Sequence, residues 1–427
     1  MLDIRLFRES PDTIKANLKK RGWTEEEIGI VDTVVESDLN WRKSRQEVDA
    51  LKHKRNVVTE EISELKKAGK DISDKIKAMG TLNEEIKKLD ESTKSFLEKR
   101  DELLLRIPNL MHESVPMGKD ESENVPLRYW GEQSEYEFEL KSHQDIIEGL
   151  NQGDFELSGK TSGAGFYFLY EDLVMLDLAL SRFAIDNLRS SGFKLIEPPF
   201  MLRKKAMQGV VDLADFENML YKIENEDLYL IATSEHSMCA MLMDKVLREK
   251  DLPIRLCGVS PCFRKEVGAH GIDTKGIFRT HQFNKVEQFV FSTPDHSWDE
   301  HELLIKNAET LFQKLEIPYR IVNICTGDLG GTAAKKYDLD AWMPRQKEFR
   351  EVVSCSNCTD YQARKLNIRY DKPDGQREYV HTINSTAIAN SRAIVAILEN
   401  YQQDDGTVMV PKVLRPYMDG LEVIGKR

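Results

Sequence analysis

Cys262-Phe263-Arg264-Lys265-Glu266, a polar, glycine-containing segment from Gly268 to Gly276, and then Ile277-Phe278-Arg279-Thr280-His281-Gln282-Phe283-Asn284-Lys285-Val286-Glu287-Gln288-Phe289 form the stretch that decides the fold. Two strand-like runs joined by a loop read as a hairpin, with the second strand beginning at Ile277. Side chains alternate along an extended strand, so Phe283, Lys285, Glu287 and Phe289 share one face. An aromatic surface beside two opposite charges suits a flat base to stack on and an ammonium to hold. The same spacing fits a cross-strand ion pair on an ordinary hairpin.

Outward from this hairpin, the chain reads as mixed helix and strand from about Leu140. Glu171 to Leu188 has the apolar spacing of an amphipathic helix, and Gly192 breaks it. Phe193-Lys194-Leu195-Ile196-Glu197 then reads as a strand ended by Pro198-Pro199. Downstream, Asn384-Ser385-Thr386-Ala387-Ile388-Ala389 lies between a β-like run, Tyr379 to Ile383, and a helix from about Asn390 to Tyr401. Small residues at such a strand-to-helix turn would let backbone approach a ligand, with Arg392 in the first turn of the helix. A buried small-residue seam beside an exposed arginine is the plainer alternative.

The N-terminal part is of another kind. Ser10-Pro11-Asp12 reads as a capped helix start and Gly22 as its stop. Between Asp38 and Ile107 glycine occurs only at 69 and 80, and proline not until Pro108. Apolar residues recur at spacings of three and four: Val48, Leu51, Val58, Ile62 and Leu65, then Ile72, Ile76, Met79, Leu82, Ile86, Leu89, Phe96 and Leu103. Thin stripes on charged helices form a coiled-coil seam, and Gly69 marks the turn of an antiparallel hairpin. Each arm of about 30 residues would extend roughly 45 Å. Such a rod forms no catalytic pocket. Between Trp41 and Lys70 it carries nine Lys or Arg against five acids, whereas the whole chain of 427 residues sums to −12. A basic rod on an acidic body fits phosphate-backbone contact; a solvated linking or dimerising coil fits it as well.

Bulk properties bound the rest. A hydrophobic fraction of 40% allows a large core, and no apolar run approaches the roughly 18 residues of a membrane span. Met1-Leu2-Asp3-Ile4-Arg5 carries charge where a signal peptide needs an apolar stretch, which places the expectation in the cytoplasm. Six cysteines make no secreted-type disulfide framework. Cys355-Ser356-Asn357-Cys358 has the half-site spacing of zinc or of a redox pair. No second pair or His-x3–5-His follows, so a packed loop is the preferred reading over zinc.

Together these blocks resemble class II aminoacyl-tRNA synthetases. Gly192 to Pro199 resembles their motif 1, Phe263 to Glu287 motif 2, and the Arg392 block motif 3. The order and spacing are similar to seryl-tRNA synthetases in particular. The same pattern includes Leu6-Phe7-Arg8-Glu9 with Pro11-Asp12, the coiled coil, the Ile107-Pro108-Asn109 hinge, Thr233-Ser234-Glu235, and Tyr361-Gln362-Ala363-Arg364 after the cysteine pair. The resemblance covers essentially the whole chain. Ser385 and Ala387 stand where many bacterial members have glycine, and the block is closer to the archaeal branch.

The resemblance implies an α+β fold: an antiparallel sheet flanked by helices, carrying an N-terminal antiparallel coiled-coil hairpin. It implies a tRNA-binding domain over 1–110, with its arm over about 38–106, and a catalytic domain over 111–427, dimerised through the motif 1 helix and strand. The implied reaction joins L-serine to ATP as seryl-adenylate and passes the seryl group to tRNA(Ser), with tRNA(Sec) a second candidate acceptor. In that reading Arg264 bridges the serine carboxylate and the α-phosphate, and Arg392 holds the γ-phosphate end. Glu351 and Ser354 contact Mg2+ and phosphate, with Val352 and Val353 beside them. Glu266 and Thr280 lie along the adenine with Lys265, and Phe283 stacks on it. Thr233, Ser234, Glu235, Glu287, Asn384 and Thr386 surround the serine. Lys52, Lys54 and Arg55 would meet tRNA, the arm of one subunit of a homodimer reaching the tRNA served by the other's active site. The serine carboxylate is already ionised at neutral pH, so no enzyme base is required, and His281 reads as a packing or hydrogen-bonding residue of the hairpin. Two rivals remain: a related ligase that serves a carrier protein, which the basic arm opposes, and a degenerate paralogue, which the joint presence of Arg264, Glu287, Glu351 and Arg392 opposes.

Overall fold

The computed structural model describes residues 1–211, 219–266 and 276–425. They divide into two units, Leu2–Ile107 and Pro108–Arg427 together with Met1.

The first unit is all helix. After Ile4–Glu9, helix α1 (Pro11–Lys20) begins with Pro11 in its first turn, but Ser10 makes no capping bond through its side chain. Ser10 also ends the preceding helix, where its N–H bonds to Leu6, and its backbone (φ −148°, ψ 53°) is not in the extended conformation usual for an N-cap. Helices α2 (Ile30–Lys67) and α3 (Ser73–Arg106) form the hairpin, reversing through Gly69 at φ +68°. The seam forms as expected along much of its length: Val48, Leu82 and Ile86 are buried, and Leu51, Val58, Ile62 and Leu65 are half-buried. Ile76 departs from it at 53% exposure. Polar pairs set the register: Ser44 Oγ lies 2.6 Å from Thr93 Oγ1, and Lys52 Nζ bonds Asp90 at 3.1 Å. At the base Asp38, 1% exposed, accepts from Arg8, Arg42 and Arg100.

The second unit is built on one sheet. In chain order its main elements are β1 (Val125–Trp130), α4 (His143–Gly149), α5 (Glu171–Ser190), β2 (Lys194–Ile196), α6 (Ser234–Ala240), β3 (Ile254–Phe263) and β4 (Gln282–Ser292). There follow α7 (Ser297–Lys314), β5 (Tyr319–Asn323), β6 (Lys335–Met343), β7 (Glu348–Asn357), α8 (Tyr361–Leu366), β8 (His381–Ala389) and α9 (Asn390–Tyr401). The eight strands lie in the order β1-β5-β6-β7-β8-β4-β3-β2, antiparallel throughout except for the parallel pair β2–β3. Alternation along β4 sends Val286 and Val290 into the core shared with α5, α7 and α9, and Phe289 and Phe291 into the core shared with α6 and α8. Gln288, fully buried between the two valines, donates to the Leu304 carbonyl at 3.1 Å, and the polar residues Lys285 and Glu287 stand out on the α6 side.

The structure corrects two further expectations. The second run of the hairpin does not start at Ile277: β4 begins at Gln282, since the ladder with β3 ends at Phe263–Gln282. Before it, Phe278 turns into the core, and His281 spends its backbone on Gly165 and Arg264. The intervening loop up to residue 275 lies outside the described residues. The stretch Asn384 to Ala389 is not a turn but the body of β8, a central strand between β7 and β4. Its residues are small because helices cover it; Ser385 and Ala387 are fully buried. The Pro108–Gly118 stretch has no regular structure yet is tied down. Asn109, 2% exposed, donates through Nδ2 to the Thr332 and Cys358 carbonyls at 3.0 and 2.8 Å.

Candidate active site

Two β-bulges make the site. On β7, Leu339 pairs with Val353 and Asp340 with Glu351, so Val352 is an extra residue. On β8, Thr386 pairs with Glu287 and Ile388 with Val286, so Ala387 is extra. In a regular strand, residues three apart face opposite ways. Each bulge turns two successive residues into the core, Val352–Val353 and Ala387–Ile388, and so returns the flanking pair to one face. Glu351 with Ser354, and Thr386 with Ala389, thereby open onto the same cavity, of about 260 Å³.

The cavity divides by charge. At one end Glu287 (2% exposed) and Glu235 face Lys285, whose Nζ lies 2.5 Å from Glu287 Oε2 along the same strand. The ion pair allowed by the spacing thus exists, but within β4 and toward a cavity, not across the hairpin. Thr386 Oγ1 donates to Glu287 at 3.3 Å. Thr233 caps α6, its Oγ1 accepting from the Glu235 N–H at 3.2 Å, so the helix start aims Glu235 inward. Gln362 Nε2 donates to Glu235 Oε1 at 3.4 Å. Burial, then Glu287, pushes the Glu235 carboxyl up to about 7 against the opposing pull of Lys285. Asn384 completes this end, with Nδ2 3.7 Å from Cys358 Sγ.

At the other end stand Arg264, Arg392 and Lys336 with Glu351, Val352 and Ser354. Arg264 bonds the Ala232 carbonyl through Nε at 3.3 Å, and its guanidinium lies 5.3 Å from the Phe283 ring centroid. Arg392 Nη1 is 3.4 Å from Glu351 Oε1 and donates to the Glu351 carbonyl at 2.8 Å. Burial raises the Glu351 pKa, but Arg392, then Lys336 and Arg264, outweigh it and hold the carboxyl below its ordinary range. Behind them Lys336 Nζ lies 3.0 Å from Asp338, whose carboxyl burial pushes up to about 8.

The chain matches known families over both units. Residues 1–111 match the seryl-tRNA synthetase N-terminal domain, and residues 219–401 match the tRNA synthetase class II core domain (G, H, P, S and T). The Serine--tRNA ligase of Methanoculleus marisnigri is 52% identical over 99% of this chain and 100% of its own length. The chain belongs to the seryl-tRNA synthetase family. The Pyrococcus horikoshii seryl-tRNA synthetase, solved in complex with ATP, superposes at a TM-score of 0.93 with 50% identity over 99% of each chain. A cytoplasmic serine-tRNA ligase from Naegleria fowleri, solved with AMP, gives 0.87 and 39% over 99% of this chain and 98% of that one.

Within this seryl-tRNA synthetase family member, the residues expected around a substrate divide into two sets. Thr233, Glu235, Arg264, Phe283, Glu287, Glu351, Val352, Ser354, Asn384, Thr386 and Arg392 meet at the cavity. Ser234, Lys265, Glu266, Thr280 and Val353 do not line it. Ser234 is fully buried with its hydroxyl against Gly258, where an added Cβ would approach to 2.7 Å. Lys265 bonds Met219 through its backbone. Glu266 lies 3.8 Å from Arg279. Thr280 turns its hydroxyl back to the Gln282 carbonyl, and Val353 packs in the core. His281 Nδ1 lies 2.8 Å from the Arg264 carbonyl, as a residue of the hairpin framework. Cys355 packs in one core, whereas Cys358 lies by Asn384 and Asn109; burial pushes the Cys358 thiol up to about 12. Lys52, Lys54 and Arg55 lie on α2 of the other unit. Lys54 is exposed and Arg55 half-buried, while Lys52 is held by Asp90.

Sequence reading passes over Lys336 and Asp338. Lys336, Asp338 and Asp340 alternate with Tyr337, Leu339 and Ala341, the pattern of a strand with one wet face. Here that face is covered, and Asp338 is 5% exposed.

Proposed function

We propose that this chain activates L-serine with ATP as seryl-adenylate and transfers the seryl group to tRNA(Ser). One observation carries the reading: a single cavity holds carboxylates at one end and two arginines at the other. Serine presents an ammonium and a carboxylate, ATP a chain of phosphates, and the division by charge suits the two lying head to head. The carboxylate attacks the α-phosphorus, forming a C–O–P anhydride as pyrophosphate leaves, so the chain's task is positioning and charge stabilisation. Arg264 stands where it can bridge the two reacting anions, and Arg392 faces the phosphate chain. Phe283 offers the adenine a ring, with Ser234, Lys265, Glu266, Thr280 and Val353 acting at most through backbone or as support.

Glu351 and Ser354 would hold Mg2+. A carboxylate and a hydroxyl on one lip suit a hard cation, and Asp338 Oδ1 behind them is buried with no hydrogen-bond partner among the described residues. Bound there, the ion would neutralise phosphate charge. The test of the whole reading is ATP–pyrophosphate exchange with each amino acid in turn: exchange with serine alone supports it, and exchange with another amino acid, or none, refutes it. Charging of tRNA(Ser) and tRNA(Sec) transcripts checks the second candidate acceptor.

Two results are expected of the serine end. Glu287→Ala and Thr386→Ala should raise the KM for serine by about tenfold or more with little change for ATP, since each leaves buried polar groups unpaired. A rise confined to ATP would refute the pocket assignment. The KM for serine should also fall as pH rises between about 6 and 8. Below about 7 the Glu235 carboxyl is protonated and offers the ammonium no charge; above it the charge is present. Glu235→Gln should flatten that profile, and an unchanged profile would remove Glu235 from ammonium binding.

A homodimer joined through α5 and β2 belongs to the same reading. Along α5, Val174, Met175 and Leu178 are 39, 37 and 57% exposed, and Leu195 on the edge strand β2 is 44% exposed. Such an apolar row on an edge needs cover. Leu178→Glu should convert the dimer to monomer in sedimentation.

A further inference from the structure

Outside the cavity, one buried ionisable pair has no role in the reaction as described. His143, on α4, is 7% exposed, and Glu399, on α9, is fully buried. His143 Nε2 accepts the Ile277 N–H at 3.2 Å. The proton of the neutral ring must then sit on Nδ1, which lies 3.5 Å from Glu399 Oε1. Neither carboxylate oxygen of Glu399 has a hydrogen-bond partner among the described residues. A carboxylate this deep needs a counter-group, and the imidazole Nδ1 of His143, itself without a hydrogen bond among the described residues, faces it across 3.5 Å. The ring also sits tightly under the turn: a Cβ on Gly276 (φ +74°) would lie 2.1 Å from Nε2.

What the turn carries gives the pair its purpose. Ile277 and Phe278 are buried in the core, and the Phe278 ring lies beneath two guanidiniums, Arg392 at 5.1 Å and Arg350 at 5.0 Å. Glu399 and Arg392 lie two turns apart on α9, so they project from similar sides of one helix. We infer that Glu399 and His143 form a positioning dyad: Glu399 orients His143, His143 pins the Ile277 amide, and the pinned turn holds Phe278 as the platform for Arg392. This rests on the proposed placing of ATP against Arg392. A displacement of that guanidinium by about 1 Å would weaken its hold on the nucleotide and leave the serine end alone.

The dyad is tested by exchange kinetics on the full chain. His143→Ala should raise the KM for ATP by about tenfold and leave the KM for serine within about twofold. His143→Gln, whose Oε1 stands where Nε2 stood, should restore most of the ATP affinity; His143→Asn, too short to reach Ile277, should not. If the alanine variant does not fold, the Gln and Asn pair decides the same question. An unchanged KM for ATP, an equal rise for both substrates, or no difference between Gln and Asn overturns the dyad. Arg392→Ala, run alongside, separates the two readings. A raised KM for ATP there but not in the His143 variants overturns the dyad alone. No rise in either overturns the placing of ATP and the dyad with it.

Discussion

Replacing Arg264 by alanine should cut serine-dependent ATP–pyrophosphate exchange by about 100- to 1000-fold while the chain stays folded. Arg264 follows the end of β3 and projects into the cavity between its two charged ends. Its guanidinium is held from two sides, by the Ala232 carbonyl and the face of Phe283, so its position is set before any substrate arrives. Charge moves onto the phosphate oxygens as the carboxylate attacks, and a fixed cation there stabilises the transition state more than the ground state. The loss should therefore fall on kcat at least as much as on KM. The fold should survive, because the cavity already opens around the side chain and its removal leaves no sealed void. Arg264→Lys should recover only a small part, since an ammonium cannot reproduce the planar fork. Near-normal exchange in a folded alanine variant, checked by circular dichroism, would refute the mechanism.

Shortening the hairpin should separate activation from charging. Residues 47–91, replaced by a short turn, remove most of α2 and α3 but keep the Ser44–Thr93 pair and the Asp38 cluster at the base. None of the residues lining the cavity lies in the hairpin. Exchange should stay within about twofold, while tRNA charging should fall by about 100-fold or more through lost affinity, as expected when several phosphate contacts go together. Charge reversal on the intact hairpin should act in the same direction. Lys52 is committed to Asp90, so its reversal would also strain the hairpin. Lys54→Glu with Arg55→Glu is the cleaner variant, expected to flatten the salt dependence of tRNA binding by about one unit of slope for each phosphate no longer neutralised. A shortened chain that charges tRNA at close to the intact rate would make the hairpin structural and its basic character incidental.

Whatever depends on local periodicity was legible along the chain. The three-and-four spacing from Val48 to Leu103 specified two helices and their seam, since a helix repeats its faces within a turn or two. The alternation from Phe283 to Phe289 specified which side of β4 is polar, and the run from Asn390 to Tyr401 specified a helix with Arg392 in its first turn. The short motifs named the family because their order along the chain is itself a local record. The rest arises from contacts between distant segments. Whether Glu351 and Ser354, or Thr386 and Ala389, share a face depends on a single extra residue in each strand. A bulge is set by register against a neighbour, and Thr386 meets Glu287 across 99 positions of sequence. The burial of Lys336 and Asp338 likewise rests on what covers β6, which the alternation within that strand cannot reveal. The pairing of His143 with Glu399 joins helices from opposite ends of the second unit. Periodicity propagates along a backbone, but register, cover and charge partners arise where distant segments come within a few ångströms, and there the physics of desolvation and ion pairing acts.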